Sequence, residues 1–328
     1  MATSAFWKNK RVLITGYEGF LGSHLTRGLL NAGARVTGLD IRTHRRETIL
    51  GASDYRKMTV VKGSVANLSL LRRLAGKKID IIFHLAAEAL VGRCRQRPLR
   101  AFEANIKGTW NILEIARENP DIQAVIMASS DKAYGEHKKL PYAETASLKG
   151  DHPYDVSKSC ADLLAYAYFH TYQVPVGVTR CGNIYGPGDF NFSRLVPDAL
   201  RCASEGQQLL IRSDGKFSRD YDYVDDIVTG YMRLAENLKK RNLAGEAFNF
   251  SDEKPMTVVR LVKKIYEQAG CCPNYKILNE AQDEIKHQYL SSRKARRLLR
   301  WKPKVSLEEG LKKTIAWYRG HLTDKKVS

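Results

Sequence analysis

The sequence predicts an α/β fold, a doubly wound parallel sheet carrying a smaller mixed α/β domain. Three observations predict it. Short apolar runs alternate with helix-periodic segments from Arg11 to Arg180, the pattern of a parallel sheet with crossover helices. The first run ends in glycines spaced for a tight turn, Gly16-Tyr17-Glu18-Gly19-Phe20-Leu21-Gly22. Beyond Gly182 the strict alternation stops and short mixed elements follow. The expected division is 1–182, with 217–250 returning to it, and 183–328. The two interleave through 217–250, and with no linker rich in Pro, Gly or Ser between them the second should pack directly on the first.

Residues 11–15 read as a buried first strand and 20–32 as the helix after it. Gly16 allows the turn, Gly19 lets backbone approach a pyrophosphate, and Gly22 permits close helix–strand packing; helix N-terminal amides then face the phosphates. The next strand, 34–39, ends at Asp40, and an acid about 20 residues after the glycines is where a ribose diol is bound. This is the Rossmann dinucleotide pattern. Asp40 favours NAD, since a carboxylate repels a 2′-phosphate, while Arg42, Arg45 and Arg46 keep NADP open. Residues 58–61 and 79–83 form the third and fourth strands. The fourth leads into His84-Leu85-Ala86-Ala87-Glu88, where the small Ala86 and Ala87 suit a close cofactor or plain packing. An amphipathic helix covers 102–117, and strands five and six cover 122–128 and 175–180. Later helices are expected near 195–204, 226–238, 258–269 and 307–319, with a strand at 208–212.

The chemistry lies after the fifth strand. That strand delivers Ser130, Asp131 and Lys132 to the carboxyl edge of the sheet, where open α/β sheets bind ligands. Tyr154 and Lys158 follow in a segment whose helical stripe runs through Ala161, Ala165 and Phe169. Their spacing puts phenol and ammonium on one face, one turn apart. A cation so placed lowers the phenol pKa from about 10 towards neutrality and makes a usable general base. Tyr-x-x-x-Lys also arises by chance; the cofactor pattern upstream gives this one its meaning.

Composition narrows the class. A chain of 328 residues with 43% hydrophobic content can bury a real core. No apolar run approaches a membrane span and residues 1–8 lack a signal-peptide apolar region, so the expectation is a cytoplasmic protein. The six cysteines show neither a disulfide framework nor metal-ligand spacing, so no metal is expected. The net charge of +19, from 54 basic and 35 acidic residues, invites a nucleic-acid reading. The basic residues are spread, densest over 293–304, with no stripe interleaved with aromatics. They read as a solvated surface that suits a polyanionic small substrate.

Taken together, Thr15-Gly16-x-x-Gly19-Phe20-x-Gly22, His84-Leu85-Ala86-Ala87, Tyr154-x-x-x-Lys158 and Arg219-Asp220-Tyr221 resemble an extended short-chain dehydrogenase/reductase. That family includes nucleotide-sugar epimerases, decarboxylases and dehydratases, and the likeness runs from Arg11 to Tyr318. Within it the chain is most similar to CDP-glucose 4,6-dehydratases, on His84 to Val91, Phe102 to Thr109, Ser130 to Tyr134 and Arg194 to Asp198. Asp131-Lys132 is the discriminating pair: epimerases and decarboxylases of the superfamily usually lack it, thymidine-linked dehydratases carry Asp-Glu, and Asp-Lys resembles both the cytidine-linked dehydratases and the inverting UDP-N-acetylglucosamine ones. Ser64 stands where an aspartate is usual, Glu88 replaces a usual glutamine, and 217–226 follows the generic superfamily pattern. The nucleotide base therefore stays open.

The resemblance implies NAD held by Gly16, Gly19, Phe20, Leu21, Gly22, Asp40, Ile41, Arg42, Ser64, Val65, Leu85, Ala86, Ala87, Asn105, Tyr154 and Lys158. It places a nucleotide-diphosphate sugar against Glu88, Asn183, Arg194, Leu195 and Arg219, the last on the diphosphate. Tyr154, with Lys158 and Ser130, would take the proton of the sugar 4-hydroxyl as C4 is oxidised. Asp131 and Lys132 would then act as acid and base in loss of water across C5 and C6, in an order left open. A homodimer is implied as well, through the helices around 102–117 and 154–172. An epimerase or decarboxylase keeps Tyr154 and Lys158 without needing Asp131-Lys132. A non-catalytic NAD-sensing protein would be expected to have lost one of Ser130, Tyr154 or Lys158.

Overall fold

The computed structural model of the chain describes residues 5–281 and 284–324. The outermost residues of the two expected domains, 1–4 and 325–328, lie outside the described residues. A wholly parallel sheet of seven strands organises the molecule. Its strands are β1 (Arg11–Thr15), β2 (Arg35–Asp40), β3 (Thr59–Lys62), β4 (Ile81–His84), β5 (Ala124–Ala128), β6 (Val176–Cys181) and an edge strand, Ala247–Phe250. They lie in the order β3-β2-β1-β4-β5-β6 followed by the edge strand. β1, β4 and β5 are mostly apolar and buried along nearly their whole length, as suits parallel strands covered on both faces. Each Val, Ile, Leu or Phe side chain so removed from water contributes about 1.5–3 kcal/mol.

Helices cover both faces. On one, Phe20–Asn31, Val224–Asn237 and Arg293–Leu299 enclose Ile14, Leu25, Ile227, Leu234 and Trp301. On the other, Leu68–Ala75, Gly108–Glu118 and Pro153–Tyr172 enclose Leu71, Ile112, Val125 and Ala161. A third core, with Leu200, Leu261, Ile265 and Leu311, lies among the helices Leu195–Glu205, Val258–Ala269 and Leu307–Asp324. The strand order reverses between β1 and β4, which opens a crevice at the carboxyl ends of the strands. No helix among the described residues is long and apolar enough to cross a membrane.

Two departures from the expected elements position the site. The helix expected over 102–117 is divided into Pro98–Phe102, a π turn at Glu103–Lys107, and Gly108–Glu118. The Thr109 hydroxyl takes the Asn105 carbonyl at 2.6 Å, and the Asn105 side chain is drawn inward to other partners. Such single π turns tend to sit at functional sites. Second, two-residue strands too short for any periodicity form a small sheet: Ser218–Arg219 lies between Met256–Thr257 and His287–Gln288. That pairing sets Gln288 opposite Arg219.

Candidate active site

The glycine turn is built by backbone contact. Gly16 has φ +73°, and a Cβ there would lie 2.8 Å from the Ala86 amide nitrogen. A Cβ on Gly22 would overlap the Gly16 carbonyl. The ends of β1 and β4 are locked by a buried chain from Thr15 Oγ1 to His84 Nδ1 (2.8 Å) and from His84 Nε2 to Thr109 Oγ1 (3.2 Å). Burial pushes His84 down to about 3, so the ring is neutral and needs no counter-charge. Thr15 Oγ1 also accepts from the Ala86 amide at 3.2 Å.

Glu18, inside the turn, is fully buried and gathers the loop after β2. Its carboxylate accepts from the amides of His44 (2.6 Å) and Arg45 (3.1 Å) and from the hydroxyls of Tyr17 (2.9 Å) and Tyr55 (2.6 Å). Asp40 ends β2 and accepts from the Arg42 amide at 3.2 Å, while burial raises its pKa. Ile41 and Arg42 are exposed beside it. The Ser64 hydroxyl closes its own turn on the Ala66 amide (3.1 Å), and the carbonyl of buried Val65 takes Asn111 Nδ2 (2.9 Å). Phe20 and Leu21 open a helix whose N-cap, Gly19, offers no side-chain acceptor to the first amides. A turn that excludes Cβ atoms, uncapped amides and an acid at the end of β2 fit a dinucleotide, phosphates on the amides and ribose on Asp40.

Leu85, Ala86, Ala87 and Glu88 line the opposite lip, all partly exposed. Asn105 holds this lip in place: Nδ2 donates to the Glu88 carbonyl (3.1 Å) and to Ser157 Oγ (2.9 Å), and Oδ1 accepts from the Glu88 amide (2.7 Å). It thus ties the lip to the helix bearing Tyr154.

At the end of β5, Ser130 caps the short turn Asp131–Tyr134, its Oγ accepting from the Lys132 amide (3.2 Å) and donating to Asp131 Oδ1 (2.9 Å). Asp131 is buried and Lys132 partly so. Lys158 Nζ donates to the Ala128 carbonyl at 2.8 Å and lies 5.9 Å from the centre of the Tyr154 ring. A buried ion pair, Arg180 with Asp162 at 2.8 Å, braces β6 against the helix Pro153–Tyr172, and Ser129 Oγ, just beyond β5, donates to the same carboxylate at 2.5 Å.

The phenol behaves opposite to expectation. Burial pushes Tyr154 up to about 12, with Asp131 adding to the rise; the Ser130 hydrogen bond and the charge of Arg194 pull the other way. Burial also takes Lys158 down to about 8, against the charge of Asp162. The lysine is anchored on a backbone carbonyl and not on the phenolic oxygen, and loss of water around the phenolate outweighs its attraction. Burial lowers the pKa of Lys132 and Arg219 adds to that, against Asp131, Asp155 and Glu284.

The remaining candidates ring this centre. Arg194 pairs with Asp189 at 3.0 Å at the mouth of the helix that Leu195 begins. Asn183 is exposed, its Nδ2 reaching the Asp220 carbonyl at 3.4 Å. Arg219 is buried, its guanidinium donating to the carbonyls of Ser218 and Lys286 (2.9 Å each) and of Ile285. Those carbonyls, not Asp220 or Asp222, are its partners among the described residues. Reasoning from the sequence missed Gln288. Its Oε1 accepts from Lys132 Nζ at 2.5 Å and its Nε2 donates to the Asp131 carbonyl at 3.0 Å. It stands 156 residues from Lys132, in a strand with no sequence signal.

The chain resembles known proteins over nearly its whole length. Residues 12–250 match the model of the NAD dependent epimerase/dehydratase family. A CDP-glucose 4,6-dehydratase of Salmonella typhimurium is 32% identical, over 97% of this chain and 93% of that protein. Among solved structures, an epimerase of Methanothermobacter thermautotrophicus superposes with a TM-score of 0.89 at 29% identity, covering 98% of this chain and 96% of the other. A dTDP-glucose 4,6-dehydratase of Bacillus anthracis in complex with NAD gives 0.85 at 27% identity, with 95% and 97% covered.

Proposed function

The chain belongs to the NAD dependent epimerase/dehydratase family, and from that premise we propose that it is a nucleotide-sugar 4,6-dehydratase, with CDP-glucose as the first substrate to test. Bound NAD supplies the hydride acceptor for C4 and its return to C6. Tyr154, after its phenol has given up its own proton to solvent, receives the proton of the sugar 4-hydroxyl as the phenolate, held by its hydrogen bond with Ser130. The C4 ketone acidifies the C5 proton. Lys132 is assigned as the base that takes that proton and Asp131 as the acid that gives one to the departing C6 hydroxyl, so that the C5–H and C6–O bonds break and water leaves. Lys132 afterwards returns its proton to C5. Asn183, which is exposed, and Arg194 and Glu88, which are partly so, are assigned to the nucleotide sugar. Arg219, held by carbonyls, turns what remains of its guanidinium to the diphosphate.

The single observation that carries this reading is the placement of Asp131 and Lys132. Both sit at the carboxyl end of β5 beside Tyr154, and burial there disfavours the charged form of the lysine that has to act as base. The test follows cofactor absorbance and sugar mass together with CDP-, UDP-, dTDP- and GDP-linked glucose and N-acetylglucosamine. The wild type should release a product lighter by one water without accumulating NADH. Asp131→Asn and Lys132→Ala should lose about 10²- to 10⁴-fold in dehydration and stall after C4 oxidation. Normal dehydration by both variants would sink the assignment. A second reading, an epimerase, is favoured by the likeness to the Methanothermobacter enzyme; it would give a product of unchanged mass and indifference to both substitutions.

The protein is further read as a cytoplasmic homodimer. All six cysteines are free thiols, and Trp110, Leu163, Tyr166 and Tyr172 stand exposed on Gly108–Glu118 and Pro153–Tyr172. A monomer in sedimentation at micromolar concentration would remove the dimer.

A further inference from the structure

We propose that Gln288 is a positioning residue for the reaction, holding the Lys132 amine in place through a neutral acceptor so that the lysine can serve as the C5 base. The inference rests on the dehydratase reading and adds to it a residue from the far end of the chain.

Both ends of the Gln288 amide are committed. Nε2 donates to the Asp131 carbonyl at 3.0 Å, which fixes the amide's orientation and leaves Oε1 to meet Lys132 Nζ at 2.5 Å. Gln288 has no exposed surface, so an amide atom left without a partner there would be lost from water with nothing in exchange. The side chain is aimed by its strand, which pairs with Ser218–Arg219 in parallel register, Gln288 beside Arg219. The Arg219 guanidinium clasps the same segment by the carbonyls of Ile285 and Lys286. Gln288 therefore grips the acid–base pair at two points, the backbone of one member and the side chain of the other.

The chemistry of the acceptor matters more than the tether. An amide oxygen accepts a hydrogen from a neutral amine as well as from an ammonium, so it fixes the nitrogen without holding it protonated. A carboxylate in the same place would stabilise the ammonium and withhold the lone pair. The charges around Nζ are otherwise mixed. Asp131 on its own turn, Asp155 on Pro153–Tyr172 and Glu284 on the approach to the Gln288 strand favour the cation, and Arg219 on the facing strand opposes it. With burial already against the charge, a neutral residue at 288 leaves the balance tipped towards the free amine.

The test replaces Gln288 by Glu, nearly isosteric, and by Leu, and reads the lysine separately from turnover. Competitive acetylation of the resting protein from pH 6 to 11, with the Lys132 peptide quantified by mass spectrometry, gives the pH at which its amine becomes reactive. In Gln288→Glu that midpoint should rise by about one pH unit or more, and dehydration should fall in kcat with KM nearly unchanged while C4 oxidation persists. In Gln288→Leu the midpoint should stay low, but kcat should fall about 10- to 100-fold from loss of aim. A melting profile establishes that each variant is folded. If Glu leaves the midpoint where it was, or if either variant raises KM at unchanged kcat, Gln288 is only a strand contact and the proposal is overturned. If the midpoint moves but no nucleotide sugar is dehydrated by the wild type, the dehydratase reading fails and the hold of Gln288 on Lys132 stands.

Discussion

The two halves of the site are made in different ways. The cofactor cradle is defined by backbone: Gly16 and Gly22 matter because of atoms they lack, and the contacts they allow join β1, the following helix and the end of β4. The proposed reaction centre is defined by side chains converging from separate segments: Ser130 to Lys132 after β5, Tyr154 and Lys158 on a helix, Arg194 at another helix mouth, and Gln288 on a two-residue strand. A cradle made of absent atoms tolerates no addition. A centre made of converging groups is sensitive to charge and to the chemistry of each partner.

The largest effect should come from the centre. Tyr154→Phe removes the proton acceptor and nothing else of size, so turnover should fall by at least about 10³-fold while nucleotide-sugar affinity changes little. Isothermal titration beside a turnover assay checks both. Because burial holds the phenol near 12 in the resting protein, activity should also rise with pH through the neutral range as proton loss becomes easier. An active Phe variant would take Tyr154 out of the mechanism and leave the cradle as the only functional half.

A smaller effect is expected in the cradle. Gly22→Ala drives a methyl into the Gly16 carbonyl, and backbone cannot step aside as a side chain can. Overpacking of this kind costs about 1–3 kcal/mol, and NAD binding should weaken with it. Gly51→Ala, at a position with open space around it, should change stability by no more than about 0.5 kcal/mol. Melting temperature and NAD titration for the two variants sharpen the comparison; equal effects would mean that the cradle is not built on close approach.

The contrast also explains what could be read in advance. Gly16, Gly19, Gly22 and Asp40 lie within one strand–helix–strand unit, where local spacing carries three-dimensional information, so fold and cofactor were legible together. Tyr154 and Lys158 were legible because a helix fixes what four residues' separation means. The protonation of Tyr154 was not, since it depends on burial by distant segments and on Lys158 turning to the Ala128 carbonyl. The π turn at Glu103–Lys107 left the apolar stripe intact and so gave no sign in periodicity. Gln288 was invisible for a simpler reason. Two residues of strand have no period, and its partners are settled only when Ser218–Arg219 pairs with it.

The smallest predicted effect concerns charge stored under the centre. Asp220 and Asp222 are both buried, and each leaves one oxygen unpartnered: Asp220 Oδ2 accepts from the Leu290 amide (3.2 Å) and Asp222 Oδ1 from the Asp252 amide (2.8 Å), while Asp220 Oδ1 and Asp222 Oδ2 have no partner. Burial raises both pKa values, and neighbouring carboxylates add to it, Asp131 for Asp220 and Asp220 for Asp222. A group that holds its proton more tightly when folded stabilises the protein in acid, and that stability is lost as pH rises through the folded pKa. Asp222→Asn removes the second charge at every pH while keeping an oxygen for the Asp252 amide. Its melting temperature should therefore lie near the wild type at pH 4, where the unfolded carboxyl is still about half protonated, and exceed it at pH 8 by an amount equivalent to roughly 1 kcal/mol. Thermal melts at the two pH values decide the matter. An advantage equally large at pH 4 would trace to packing, and no advantage at pH 8 would mean that the buried pair is compensated and that the charge-sensitive half of the site ends at Asp131 and Lys132.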